Sequence, residues 1–140
     1  MSITEKAATA ASLQERVSAL LAVTPTGLLI DGVWREASDG GTFEVENPAT
    51  GEVIATMASA TRADAGAAMD AAAEAQESWA RTPARVRSEI LRAAFDLVQE
   101  RAADLALLMT LEMGKPLAEA AGEVKYGGEF LRRFPSGVSR

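Results

Sequence analysis

Few polar residues of this chain are placed to do chemistry. Glu112 sits near the end of a helical pattern, two residues before Gly114. The negative end of a helix dipole disfavours a carboxylate and invites a cation or a basic partner. Two readings of Glu112 stand side by side: a solvated helix-end acid, or one oxygen ligand of a structural cation completed by nearby carbonyls. Lys115 follows the glycine, where it can neutralise the last carbonyls of the helix, and no glycine loop accompanies it to suggest phosphate binding. Asn47-Pro48 has the look of an active-site turn, but an Asx turn, with Asn bonding its own backbone two residues on, explains it more simply. Trp34 and Trp79 read as core or interface anchors rather than stacking platforms.

The missing residue types bound the chemistry further. The sequence of 140 residues has no cysteine and no histidine. That removes disulfides, thiolate metal sites, a cysteine nucleophile and the commonest general base. No G-x-G-x-x-G follows a strand pattern and no P-loop occurs; Gly40-Gly41 and Gly127-Gly128 lie in other contexts. The net charge of −6 argues against a nucleic-acid surface. There is no apolar run of about 18 residues to span a membrane. No basic stretch followed by an apolar one marks a secretory signal, so a cytoplasmic location is expected.

The elements that must position these residues follow from local pattern. Residues 1–27 read as a tail, loose to Ala11, and then a short helix. Ser12 and Glu15 have capping-box spacing, and Leu13, Val17, Leu20 and Leu21 share a face. Asp31-Gly32 between apolar stretches predicts a hairpin with a type I′ turn. Ser38-Asp39-Gly40-Gly41 and Asn47-Pro48-Ala49-Thr50-Gly51 predict further turns around a half-buried strand at Phe43–Glu46, with another strand at Glu52–Met57. From Ser59 the period becomes helical, with Thr61 as cap and Asp64 in the first turn. Ala65, Ala68, Met69, Ala72, Ala75 and Trp79 share one face of that helix. Thr82-Pro83 supplies N-cap and N1 of the next, whose buried stripe is Ile90, Leu91, Ala94, Leu97 and Val98. A third helix carries Ala102, Leu105, Leu108 and Met109 into the Gly114 corner, where glycine adopts the left-handed C-cap. Pro116 opens a last helix burying Leu117, Ala120, Ala121, Val124, Gly128 and Leu131, with Glu129 beside Arg132 and Arg133. Pro135-Ser136-Gly137 breaks that pattern. The expected fold class is α/β, an α+β arrangement of short antiparallel strands followed by a helical bundle.

Several segments in this order resemble the N-terminal part of the NAD(P)-dependent aldehyde dehydrogenase superfamily. They are Leu29-Ile30-Asp31-Gly32-Val33-Trp34, Asn47-Pro48-Ala49-Thr50-Gly51-Glu52-Val53-Ile54, the helix from Asp64 to Trp79, Arg87 through Leu97, and Leu111-Glu112-Met113-Gly114-Lys115-Pro116. The run Met113–Ala120, followed by Gly122-Glu123-Val124 and Tyr126, is most similar to the succinate-semialdehyde dehydrogenase branch. The resemblance covers residues 28–134, a partial N-terminal domain, with 135–140 left as an irregular tail.

The resemblance implies oxidation of succinate semialdehyde to succinate with NAD or NADP, through a cysteine nucleophile, hydride transfer and glutamate-assisted hydrolysis. No residue of this chain matches the family's catalytic or cofactor-binding positions, so no productive cofactor binding is expected of it alone. It implies a monovalent cation held by Val45, Glu46 and Glu112 with a further ligand missing, and a substrate entrance near Glu123 and Tyr126. A truncated or frameshifted gene is the expectation for the C-terminus. The competing expectation is a non-catalytic fragment, a partner-binding or structural module or a pseudogene product, with a homo-oligomer or homologous subunits as its partners. Unpaired strand edges and an uncovered helix predict poor folding or association in isolation.

Overall fold

A computed structural model of the chain describes residues 3–133, with side chains from Ser12 onward. The expectations for residues 134–140 lie outside the described residues. The first helix, α1, spans Ile3–Val23, so the tail expected before Ser12 is helical instead. Ala7, Ala8, Ala10 and Ala11 precede Ser12, and alanine is the strongest helix former. Local propensity thus carries the helix past the capping-box signal. The helix stops where expected: the Thr24 hydroxyl donates to the Leu20 carbonyl at 2.8 Å, ahead of Pro25.

Four short strands follow: β1 (Leu28–Ile30), β2 (Val33–Arg35), β3 (Thr42–Glu46) and β4 (Val53–Ala58). They form two separate antiparallel pairs, β1 with β2 and β3 with β4. The first turn is type I′ as the Asp-Gly pair requires, with φ of 53° at Asp31 and 72° at Gly32. The pairs are stitched to each other by the Ala58 N–H, which donates to the Thr26 carbonyl at 2.9 Å. In β3–β4, Val45 faces Ala55 but Glu46 faces Val53, so Ile54 is an extra residue in a bulge. The bulge explains why Ile54 and Ala55 are both half-buried, breaking the alternation of a regular strand. β3 itself is not the half-buried strand the pattern predicts: Phe43 is 51% exposed, because no described element covers that side of the hairpin.

Four helices complete the chain: α2 (Arg62–Arg81), α3 (Ala84–Glu100), α4 (Ala102–Met113) and α5 (Leu117–Arg133). Pro83 is the N-cap of α3 rather than its first residue, and Thr82 closes α2 by donating its hydroxyl to the Ser78 carbonyl. The core is small and built where α4 and α5 cross, from Ala106, Ala120 and Val124, with Val98, Ala102 and Met109 packed against it. Small residues also let α3 approach α5: a Cβ on Gly128 would lie 3.1 Å from the Gln99 amide and 3.4 Å from Val98, both on α3. The expected stripe of α3 is only half covered, with Leu91, Ala94 and Val98 partly buried but Ile90 and Leu97 exposed. The shared face of α2 is likewise open, and Met69 is 73% exposed. In α5, Leu117 and Ala121 face solvent while Ala120, Val124 and Gly128 are buried.

Candidate functional site

The two sequence signatures with a chemical flavour meet in space. α4 ends at Gly114, which takes the left-handed conformation (φ 71°) and donates its N–H to the Thr110 carbonyl. The Asn47-Pro48 turn packs directly on this corner: a Cβ on Gly114 would lie 2.9 Å from Pro48 Cγ. Glycine is therefore required twice, by its positive φ and by the proline ring. The turn is the expected Asx turn, with the Ala49 N–H donating to Asn47 Oδ1 at 2.9 Å. Val45 and Glu46 end the strand entering the turn, and Glu112 lies two residues before the corner, so the candidate cation residues sit on two segments in contact. Glu46 and Glu112 are exposed and Val45 is half-buried. Among the described residues no group of three or more acid, histidine or cysteine side chains converges to hold a metal. A cation here would depend on backbone carbonyls.

Lys115 does not cap α4. Its ammonium pairs with the Glu123 carboxylate of α5, and the side chain is only 16% exposed. This ion pair ties the loop after α4 to the middle of α5. Beside it runs an apolar groove of about 480 Å³ between α4 and α5, with Leu105, Leu108, Met109, Met113, Val124 and Leu131 in its walls and Glu112 and Glu123 among its polar lining. Tyr126 is 69% exposed and meets Phe130 edge-to-face at 5.1 Å, outside the groove. Glu123 thus stands in the groove's lining, in a salt bridge, and Tyr126 lies outside it in an aromatic pair.

A polar cluster at the start of α2 carries more than the sequence pattern indicates. Thr61 and Asp64 form a full capping box, the Thr61 side chain accepting from the Asp64 N–H and the Asp64 carboxylate from the Thr61 N–H. The same carboxylate accepts from the Ser38 N–H at 3.1 and 3.2 Å and from the Ser38 hydroxyl at 3.2 Å. Asp64 is 6% exposed. These bonds, led by the Thr61 and then the Ser38 backbone N–H, hold its carboxyl down at about 2. Local spacing reveals the Thr61 half of this cluster but not Ser38, which arrives from 26 residues away. The cluster binds the strand region to α2. Glu129 is also held below the ordinary carboxylate range, by its hydrogen bond to Arg132 and then by the charges of Arg132 and Arg133. It is a surface ion-pair group of α5.

A short-stranded, helix-rich unit of this kind matches the N-terminal part of the aldehyde dehydrogenase fold. The model of the aldehyde dehydrogenase family matches residues 34–140, and the chain belongs to that family. It is 71% identical over 82 residues to a succinate-semialdehyde dehydrogenase of Paenarthrobacter nicotinovorans, a match covering 59% of this chain and 18% of the relative. It is 44% identical over 111 residues to a glutarate-semialdehyde dehydrogenase of Pseudomonas aeruginosa, covering 79% of this chain and 23% of the relative. Among solved structures, betaine aldehyde dehydrogenase of Staphylococcus aureus in complex with NAD+ superposes with a TM-score of 0.86 at 32% identity, over 91% of this chain and 26% of that one. An aldehyde dehydrogenase of Brucella melitensis biovar abortus superposes with a TM-score of 0.77 at 47% identity, over 79% of this chain and 23% of that one. The chain therefore spans about a quarter or less of the length of these relatives.

Proposed function

We propose that these residues form the N-terminal scaffold of a semialdehyde dehydrogenase that oxidises succinate semialdehyde to succinate with NAD or NADP. The observation carrying this reading is the identity of 71% over 82 residues to a succinate-semialdehyde dehydrogenase. The geometry supports a scaffolding role rather than a chemical one. Aldehyde oxidation of this kind needs a nucleophile that bonds the carbonyl carbon and a fold that holds the nicotinamide against it. The sequence has no cysteine and no histidine, and its most perturbed acid, Asp64, is spent on capping α2. What the chain offers is a fixed corner, Gly114 on Pro48, from which Glu112 and the Lys115–Glu123 pair project. In this reading Val45, Glu46 and Glu112 help hold a monovalent cation, and Glu123 and Tyr126 flank the substrate entrance. The groups that attack the aldehyde and bind NAD(P)+ come from polypeptide outside these residues.

The test is a graft. The matched segment of this chain replaces its counterpart in the Paenarthrobacter enzyme, and NAD(P)H formation is followed with succinate and glutarate semialdehydes. The expected kcat/KM on succinate semialdehyde is within about threefold of the parent and exceeds that on glutarate semialdehyde. A folded hybrid that prefers glutarate semialdehyde, or oxidises neither, overturns the proposal. A second reading, a non-catalytic module that binds homologous subunits, is favoured by the open faces of α2 and α3. The isolated chain is expected to form no NAD(P)H under either reading.

A further inference from the structure

Two Asp-Gly pairs lie in the strand region, Asp31-Gly32 and Asp39-Gly40. Aspartate before glycine is open to an intramolecular reaction, because a residue with no side chain leaves its own backbone nitrogen uncovered. The glycine nitrogen attacks Cγ of the aspartate in its protonated form. A C–N bond forms, a carboxyl C–O bond breaks, and the hydroxyl leaves with the amide hydrogen as water. The product is a succinimide ring. Water then opens either ring carbonyl, which restores the water that was lost. One opening returns aspartate, and the other leaves the main chain running through the side-chain carbons, as isoaspartate. The sequence of steps balances with no oxidant, reductant or cofactor.

All four residues are exposed, so access to solvent does not separate the two pairs. Their bonding does. At the second pair both reacting groups are engaged: the Gly40 N–H donates to the Ala37 carbonyl at 2.9 Å, and the Asp39 carboxylate accepts from the Gly41 N–H at 2.8 Å. Its flanks are clamped as well. Ser38 donates to Asp64 from both backbone and hydroxyl, and the Gly41 carbonyl accepts from the Ser59 N–H at 2.8 Å. At the first pair, neither the Asp31 carboxylate nor the Gly32 N–H has a hydrogen-bond partner among the described residues. The β1–β2 ladder ends at Ile30 with Val33, and the Arg35 guanidinium reaches only the Ile30 carbonyl. Val33, Trp34 and Arg35 are all exposed, and a two-stranded ribbon of three residues a side opens readily. Opening also relieves Asp31 of its φ of 53°, a region L-residues tolerate poorly. We propose that Asp31-Gly32 is a self-modification site, where the chain closes a succinimide and turns Asp31 into isoaspartate, while the bonds around Asp39-Gly40 keep Asp39 as aspartate. The isoaspartyl main chain is longer by a methylene. A two-residue type I′ loop takes that extra atom only by giving up the Ile30–Val33 pair, and Ile30 is 6% exposed, so the change reaches the packing beneath the hairpin. This inference rests on the fold and not on the family or the substrate.

The test is an ageing series on the whole chain, held in warm neutral buffer and sampled over time. Tryptic cleavage after Arg16, Arg35 and Arg62 places the two pairs on separate peptides, 17–35 and 36–62. Isoaspartate is measured in each by enzymatic methylation of its free α-carboxyl group, and the succinimide by a mass lower by one water. Isoaspartate is expected to build up in peptide 17–35 at least about fivefold faster than in 36–62, the factor that one net hydrogen bond supplies. In urea, where those bonds are gone, the two rates are expected to converge. Equal rates in buffer, a faster rate at Asp39, or no isoaspartate at Asp31 overturns the proposal. A preference for Asp31 that persists unchanged in urea also overturns it, because neighbouring residue types rather than bonding would then set the rate.

Discussion

The strand half and the helical half of this molecule are held together by different forces. From Gly27 to Asp64 the chain is fixed by directional bonds: a type I′ turn, an Asx turn, a capping box and the Ser38–Asp64 tie. From Ala84 to Arg133 it is fixed by close approach of small side chains, with Ala106, Ala120 and Val124 where α4 and α5 cross and Gly128 against α3. Hydrogen bonds are satisfied one by one, most of them here by near neighbours in the chain, with Ser38–Asp64 reaching across 26 residues. Burial is collective, and with so few core residues it is incomplete. The comparison teaches that a segment of a larger fold can have finished local geometry while its apolar faces still await cover.

The largest expected effect is in the helical half. Ala120 is 0% exposed against Ala106, so Ala120→Leu forces α4 and α5 apart and should cost about 3 kcal/mol, at the upper end of overpacking. Chemical denaturation monitored by circular dichroism checks this, and an unchanged midpoint would mean that the crossing is looser than described. A smaller loss is expected at the junction of the halves. Gly114→Ala meets both the positive φ and the Pro48 ring, and should cost about 1–2 kcal/mol. Gly114→Ala in a Pro48→Ala background should recover the steric share but not the backbone share, read in the same experiment.

The smallest effect expected is in the strand half, and its signature is read in acid. The Asp64 carboxyl is held at about 2, below its ordinary 3.8, so the folded state favours the ionised form. The contribution of Asp64 is complete above the ordinary value. It is lost as pH falls through about 2, where the folded chain also takes up the proton. Asp64→Asn should abolish this part of the acid transition and lower the stability plateau above it. A thermal-melt series between neutrality and acid checks the shape, and a superimposable acid limb would detach Asp64 from the stabilising cluster.

What could be read in the sequence follows the same division. Asp31-Gly32, Asn47-Pro48, Thr61 with Asp64, and Gly114 all announced their conformations, because each is decided within a few residues of chain. The start of α1 was missed because an alanine-rich stretch outweighs a capping motif within it. Ser38 was missed as a partner of Asp64 because its approach depends on how the strand pairs fold against α2. The buried positions of α4, Ala106 and Leu107, were hidden because that helix is apolar on nearly every side and its periodicity selects no face. The stripes of α2 and α3 were legible as amphipathic faces, yet no pattern internal to this chain specifies what covers them. Of the candidate site, the two segments were visible and their contact through Pro48 was not.

One ion pair bears on how the chain is handled. Among the described residues, α1 makes its single salt bridge through Arg16, whose guanidinium reaches Asp104 of α4 at 3.0 Å with both side chains about half exposed. Such a bond is weak in water and fades further as ionic strength rises, since mobile ions shield both partners. The leading helix is thus held on the body chiefly by its half-buried Val17, Leu20 and Leu21, and salt tunes only the small charged share of that hold.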